Sequence, residues 1–289
     1  MAADAAGARR AGVVKPSYVV TGASSGIGRA CVAELVRRGA HVWASVRSDG
    51  DEKELVRAYG DAVSVLRMDL RDADSIEACG RRVAAGGPVR GLVNNAGLAR
   101  PGPLEYVPLE VFREQLDVNV TGQLAVTRAM LPALRIAPTA RVVTVGSIGG
   151  RIAGPMLGPY HTSKFALVGL TDSLRAELAP EGIDVVLVEP GAVATAIWSR
   201  ARAAAEDVRS LLPPAGLERY GAQLAAAEHS AARSARTGVP PRRAAQAVVR
   251  ALTSRRPAPR YLVGTDARLA AVLASLPFRL RYRVTAAKR

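Results

Sequence analysis

The chain has 289 residues, is 49% hydrophobic and 4% aromatic, and carries a formal net charge of +15. That length and apolar content give one large α/β domain or two small ones and exclude a wholly disordered chain. No apolar run reaches the roughly 18 residues that cross a bilayer, and Cys31 and Cys79, far apart and without metal-ligand spacing, make no disulfide framework.

Residues 1–16 are small and polar, lack the apolar centre of a secretory signal, and are expected to be a flexible tail. The two thiols then read as buried groups in a reducing cytoplasm. Short, continuously apolar stretches follow, alternating with helical patterns. Residues 17–21 are the first strand. Residues 26–39 are a helix, with Ile27, Ala30, Cys31 and Leu35 at helical spacing. Residues 41–46, 63–68, 91–94, 140–145 and 183–188 continue the strands, and 261–263 are a candidate seventh. The longest helical patterns cover 108–134 and 159–178. Strands apolar on both faces and separated by helices predict an α/β fold: a doubly wound parallel sheet of about seven strands, helices on both faces, in a single domain over 17–265.

Past Thr195 the texture changes. Residues 200–237 are rich in Ala and Arg, helical in pattern, and broken at Leu211-Leu-Pro-Pro214. They follow the sixth strand at the carboxyl edge of the sheet, so 196–237 is expected to form a substrate lid. A plain pair of surface helices is the alternative. From Ser230 onward fourteen Lys/Arg stand against one acid, Asp266, which places +13 of the charge at this end. Residues 266–289 are therefore read as a basic extension. Its arginines alternate with Ala and Pro rather than aromatic residues, so no nucleic acid is expected. Peripheral membrane contact is the alternative to a solvated surface. Residues 269–283 are expected to pack on the sheet, with an amphipathic surface helix as the alternative.

The first motif, Thr21-Gly-Ala-Ser-Ser-Gly-Ile-Gly28, lies between the first strand and the first helix. Gly22, Gly26 and Gly28, with Ser24, Ser25 and Ile27 between them, let a backbone turn tightly and approach a pyrophosphate at a helix N-terminus. The spacing is not that of a nucleotide-hydrolysing loop, because no Gly-Lys-Ser/Thr follows. Next come Asn94-Asn-Ala-Gly97, Ser147, Tyr160-x3-Lys164 and Pro190-Gly-Ala-Val-Ala-Thr195. This set, in this order over about 17–195, resembles the short-chain dehydrogenase/reductase family, with its Rossmann-type fold. Asp117-Val-Asn-Val-Thr-Gly122 and LVEPGAVATAIW (187–198) look most like its steroid- and retinol-type dehydrogenases and carbonyl reductases.

The resemblance implies an NAD(P)-dependent oxidoreductase acting on CH–OH groups. It implies that Asp69 and the Leu70 backbone meet the adenine, that Asn95, Ala96 and Gly97 line the adenine ribose, and that Pro190, Gly191, Val193 and Thr195 hold the nicotinamide. It also implies that Asn119 anchors a water on the way to Lys164, that Lys164 grips the nicotinamide ribose, and that the two long helices build a homodimer or homotetramer. The chemistry of Tyr160 can be argued directly. A phenol titrates near 10 in water. Lys164 shares its helix face at i+4, and an ammonium there favours the phenolate. Tyr160 is then a general acid/base beside a hydride-carrying cofactor, with Ser147 holding the same oxygen. His161 is read as bland, since no Gly-x-Ser-x-Gly elbow accompanies it.

The second strand ends at Val46-Arg47, where an acid would select NAD. Arg47, with Ser25 nearby by analogy, predicts NADP, with NAD as the alternative and Asp49 as a competing charge. Apolar Ile152, Pro155, Met156, Leu157 and Ile197, with Trp198, predict a lipophilic ketone or secondary alcohol. Arg100 and Arg151 at the rim keep an acidic, carrier-linked acyl group open. A non-catalytic cofactor-binding regulator is the competing reading. No metal ligand set is recognised.

Overall fold

Neighbouring residues of each central strand enter opposite cores. Val19 and Val20, Leu92 and Val93, Val142 and Val143, and Val185 and Val186 are all buried, and the members of each pair join different apolar clusters. Burial of both faces is the reason these stretches are continuously apolar.

The computed structural model describes residues 15–286, so most of the expected N-terminal tail lies outside the described residues. In chain order it contains β1 (Ser17–Val20), α1 (Gly26–Arg37), β2 (His41–Val46), α2 (Asp49–Tyr59), β3 (Val63–Arg67), α3 (Ala73–Ala85), β4 (Gly91–Asn94), α4 (Leu109–Leu116) and α5 (Gly122–Arg135). There follow β5 (Ala140–Val145), α6 (Gly158–Leu178), β6 (Ile183–Pro190), α7 (Ile197–Leu211), α8 (Pro214–Thr237), α9 (Pro241–Thr253), β7 (Arg260–Val263), α10 (Thr265–Ser275) and α11 (Phe278–Ala286).

The strands form one parallel seven-stranded sheet in the order β3-β2-β1-β4-β5-β6-β7. The chain winds outward one way from β1, returns, and winds the other way from β4. Between β1 and β4 the carboxyl ends therefore open a crevice. One face is covered by Cys31, Val32 and Leu35 of α1, Leu55 of α2 and Val248 and Val249 of α9. The other is covered by Ile76 and Val83 of α3, Val126, Met130 and Leu134 of α5 and Leu174 of α6. Cys31 and Cys79 are free and buried on opposite faces.

Three sequence expectations change. The continuous 108–134 helix is two helices joined by a π-helical turn, Asp117–Thr121. The extra residue of that turn puts Asn119 inward, completely buried. Met156, expected to wall the substrate pocket, packs instead with Leu212 and Leu224 in a small core beside α7 and α8, the two helices into which the lid stretch breaks, as expected, at Leu212-Pro213. The 269–283 stretch half-buries Leu273 and Leu276 but leaves most of its large apolar groups, Leu269, Val272, Phe278 and Leu280, exposed.

Candidate active site

A cleft of about 450 Å³ lies over the carboxyl ends of the strands. Of the residues expected at the site, Gly22, Ser24, Ser25, Gly26, Ile27, Arg47, Asp69, Leu70, Asn95, Ala96, Gly97, Ser147, Tyr160, Lys164, Pro190, Gly191, Val193 and Thr195 all line it. Gly28 and Asn119 stand behind the lining.

The glycine turn is fixed by packing as much as by hydrogen bonds. Gly22 and Gly26 have φ of 64° and 56°, where a side chain is strained. A Cβ on Gly28 would lie 2.2 Å from the Gly22 carbonyl oxygen and 2.6 Å from Asn95 Nδ2. Asn95 Nδ2 donates to the carbonyls of Thr21 at 2.8 Å and Gly22 at 3.2 Å, which ties the turn to β4. Thr21 Oγ1 accepts from the backbone of Asn95 and Ala96 on the same strand end. Helices α2 and α3 are capped by Ser48 and Asp72, whereas the Ser25 side chain makes no cap bond to α1. The first turn of α1 therefore presents uncapped N–H groups to the cleft, in a cradle whose glycines leave no side chain in the way. That donor set fits a pyrophosphate.

At the end of β2, Arg47 is exposed on the cleft and makes no ion pair among the described residues. Asp49, the expected competitor, is engaged by Arg67 at 2.5 Å. Asp69 accepts from the Arg71 N–H at 3.0 Å, and that bond is the main cause of its lowered pKa; Arg71 and Arg47 add their charge.

Tyr160, on the first turns of α6, faces Ser147 at the end of β5. Ser147 Oγ also accepts from the Gly149 N–H at 3.0 Å. Lys164 Nζ sits 5.7 Å from the Tyr160 ring centroid and donates to the Val145 carbonyl at 3.1 Å. The electrostatics correct one expectation. Burial raises the Tyr160 phenol above its ordinary value, the Ser147 hydroxyl lowers it only in part, and the Lys164 charge contributes no resolved lowering. Lys164 itself is pushed down to about 8 by burial. In the free cleft the phenol keeps its proton at neutral pH. His161 is held neutral by burial, with its Nδ1 2.9 Å from the Gly149 carbonyl oxygen, and takes no part in the cleft.

Asn119 spends its amide on structure. Its Oδ1 accepts from the Leu98 N–H at 2.9 Å, and its Nδ2 donates to the Leu98 carbonyl and to Ser163 Oγ, each at 3.0 Å. The rim arginines are also committed. Arg100 pairs with Glu114 at 2.7 Å, and Arg151 makes a two-pronged pair with the fully buried Glu189 at 2.6 and 2.7 Å. Arg151 is thereby drawn to Glu189, while Arg100, paired with Glu114, still lines the cleft.

Glu189 and Asp266 carry work that the sequence reading passed over. Glu189 links the segment after Ser147 to the end of β6. Asp266 accepts from the Ala192 N–H at 2.6 Å and packs on Gly191. Val239 exchanges backbone bonds with Ala192 and Ala194, and Trp198 Nε1 donates to the Val193 carbonyl at 2.7 Å. Loop 190–195 is thus held from three sides. An acid inside the apolar stretch 183–188 plus Glu-Pro was the available signal for Glu189, because a buried carboxylate requires a cation.

The family model for short chain dehydrogenases matches residues 17–206, and the chain belongs to that family. It is an oxidoreductase of CH–OH groups that uses a nicotinamide cofactor. It is similar to an NADPH-dependent 3-dehydrocapnine reductase of Ornithobacterium rhinotracheale, with 32% identity over 252 residues, 85% of this chain and 87% of the relative. Among solved structures it resembles a Burkholderia phymatum short chain dehydrogenase/reductase in complex with NAD, with a TM-score of 0.76, 26% identity and 95% of each chain covered. It also resembles a Burkholderia cenocepacia short chain dehydrogenase in complex with NADP, with a TM-score of 0.72, 27% identity, and 94% of this chain and 97% of that one covered.

Proposed function

We propose that the protein is an NADP-dependent reductase of lipophilic ketones, with Tyr160 as the general acid. The observation that carries this reading is the convergence of Ser147, Tyr160 and Lys164 in one cleft with the uncapped N-terminus of α1 and with Arg47, which has no ion pair among the described residues. Gly22, Ser24, Ser25, Gly26 and Ile27 would hold the pyrophosphate, Arg47 the 2′-phosphate, Asp69 and Leu70 the adenine, and Asn95, Ala96 and Gly97 its ribose. Pro190, Gly191, Val193 and Thr195 would hold the nicotinamide. When bound, the nicotinamide supplies the hydride.

The remaining steps belong to the chain. Ser147 Oγ orients the substrate oxygen, and the Tyr160 hydroxyl gives it a proton as negative charge develops there. A phenol kept protonated by burial is the form that reduction requires. Lys164, desolvated and anchored on Val145, replaces that proton and holds the nicotinamide ribose in reach. The reverse reaction, oxidation of a secondary alcohol, uses the same groups with Tyr160 as base. Of the expected apolar wall, Ile197 and Trp198 line the cleft, whereas Ile152, Pro155, Met156 and Leu157 do not; with Leu98, Ala99 and Val118 they give it an apolar side that favours an apolar substrate, beside Arg100, Glu114 and Arg200. The relative named for NADPH supports the cofactor choice, and the NAD-bound neighbour is the reason to test it.

The α6 face leaves Phe165 exposed and α4 leaves Leu109 exposed, which favours association of copies through these helices. Light scattering at the mass of a dimer or tetramer is the expected result; a monomer mass contradicts it. For the cofactor, nicotinamide fluorescence is titrated with NADPH and NADH on wild type and Arg47→Asp. Wild type is expected to prefer NADPH by on the order of 10-fold or more, and Arg47→Asp to lose that preference. Equal preference in both proteins contradicts the role of Arg47. Turnover is then measured on ketones of increasing apolar length, and activity restricted to small polar sugars contradicts the substrate class.

A further inference from the structure

Helix α10 turns large apolar groups to solvent as well as inward. It buries Ala267 and half-buries Leu273, while Leu269 and Val272 stand 64% and 63% exposed. Helix α11 adds Phe278 at 70% and Leu280 at 48%. A helix that serves only to cover a sheet turns its large apolar groups inward and its small or polar groups outward. Arg268, Arg279 and Arg283 are exposed among these residues, and the Arg281 guanidinium stacks on the Phe278 ring at 5.5 Å. The one acid of 266–289, Asp266, is committed to the Ala192 N–H at the cleft. The two helices therefore present large apolar groups and positive charge together.

We propose that α10 and α11 form a docking surface for an anionic lipid bilayer. Leu269, Val272, Phe278 and Leu280 enter the boundary between headgroups and acyl chains, and the guanidiniums meet the lipid phosphates. A second copy of the chain is a poor occupant: a two-fold contact sets the same arginines against one another, on a chain already at +15. Nucleic acid would engage the guanidiniums and leave the apolar groups in water. Because Asp266, in the first turn of α10, touches loop 190–195, docking brings the cleft end of the sheet to the lipid surface. The surface itself does not depend on which ketone the cleft accepts.

The full-length protein is sedimented with vesicles of phosphatidylcholine alone and with phosphatidylglycerol added, at low and at physiological salt. Leu269→Gln/Val272→Gln and Arg279→Gln/Arg283→Gln are run beside it. Wild type is expected to pellet with the anionic vesicles only, and each double variant to bind on the order of 10-fold more weakly. Both variants are expected to keep the wild-type melting midpoint and NADPH binding. Absence of pelleting with anionic vesicles overturns the proposal. Pelleting that is abolished by physiological salt and unchanged in Leu269→Gln/Val272→Gln also overturns it, since that is plain basic attraction. A fall in oligomer mass for that variant, with vesicle binding intact, overturns it in favour of an interface between copies. Should the double variant lose its cooperative melt, Leu280→Gln replaces it and the same outcomes apply.

Discussion

Replacing Asn119 with Leu keeps the branching and heavy-atom count of the side chain and removes its amide. The structure gives the size of the loss bond by bond. The Leu98 N–H loses Asn119 Oδ1, the acceptor it has at 2.9 Å. The Leu98 carbonyl keeps a second donor, Gln115 Nε2 at 2.7 Å. Ser163 Oγ keeps its bond to the Tyr160 carbonyl at 2.7 Å. One orphaned N–H costs about 1–3 kcal/mol and each of the two replaceable bonds about 0.5–1.5 kcal/mol. The sum centres on about 4 kcal/mol. Urea unfolding of both proteins with equal slopes reads that loss directly as a shift in midpoint. Because Leu98 lines the cleft behind Gly97, kcat is expected to fall with it, while NADPH affinity changes little. A loss below about 1 kcal/mol refutes the reasoning, for it means that the Leu98 N–H finds another acceptor at once.

Lys164 makes stability depend on alkaline pH. Its folded pKa, about 8, lies below the ordinary 10.5. Between these values the unfolded chain binds a proton that the folded chain does not, so the contribution to stability rises with pH through that window and is lost as pH falls through 8. Measured against Lys164→Met, wild type is expected to gain about 3 kcal/mol between about pH 7 and pH 11; a flat difference contradicts a desolvated lysine. Gly28→Ala places a methyl 2.2 Å from the Gly22 carbonyl oxygen. The turn must shift, at about 1–3 kcal/mol of stability, with NADPH binding weakened about 10-fold or more; wild-type affinity by fluorescence titration would show that the turn yields freely.

The sheet was legible because burial of both faces leaves no polar periodicity to confuse, and because each strand of the central set ends in a glycine, an asparagine or a serine that the cleft uses. The site was legible because its parts are short motifs on strand ends, and strand ends of a parallel sheet meet at one edge whatever the helices do. What escaped the sequence lies in pairings across the chain. The two-pronged pair of Arg151 with Glu189 joins residues 38 apart, and the Asp266 bond to Ala192 joins residues 74 apart; neither distance leaves a local pattern. The π-helical turn at Asp117–Thr121 escaped because its residues continue the helical spacing on either side. The phenol's pKa escaped for a different reason. Spacing on a helix places Lys164 beside Tyr160, but the cost of burial, set by the whole cleft, exceeds what that neighbour supplies.

The central claim is that Tyr160 moves the proton in a nicotinamide-dependent reduction. The direct measurement is NADPH oxidation in the presence of the best ketone of the apolar series, by wild type and Tyr160→Phe, with NADPH affinity measured on both. Loss of the hydroxyl is expected to lower kcat by about 100-fold or more and to leave NADPH affinity within about 3-fold, under 1 kcal/mol. A Tyr160→Phe protein that binds NADPH normally and turns over near the wild-type rate would place the acid elsewhere and contradict the account.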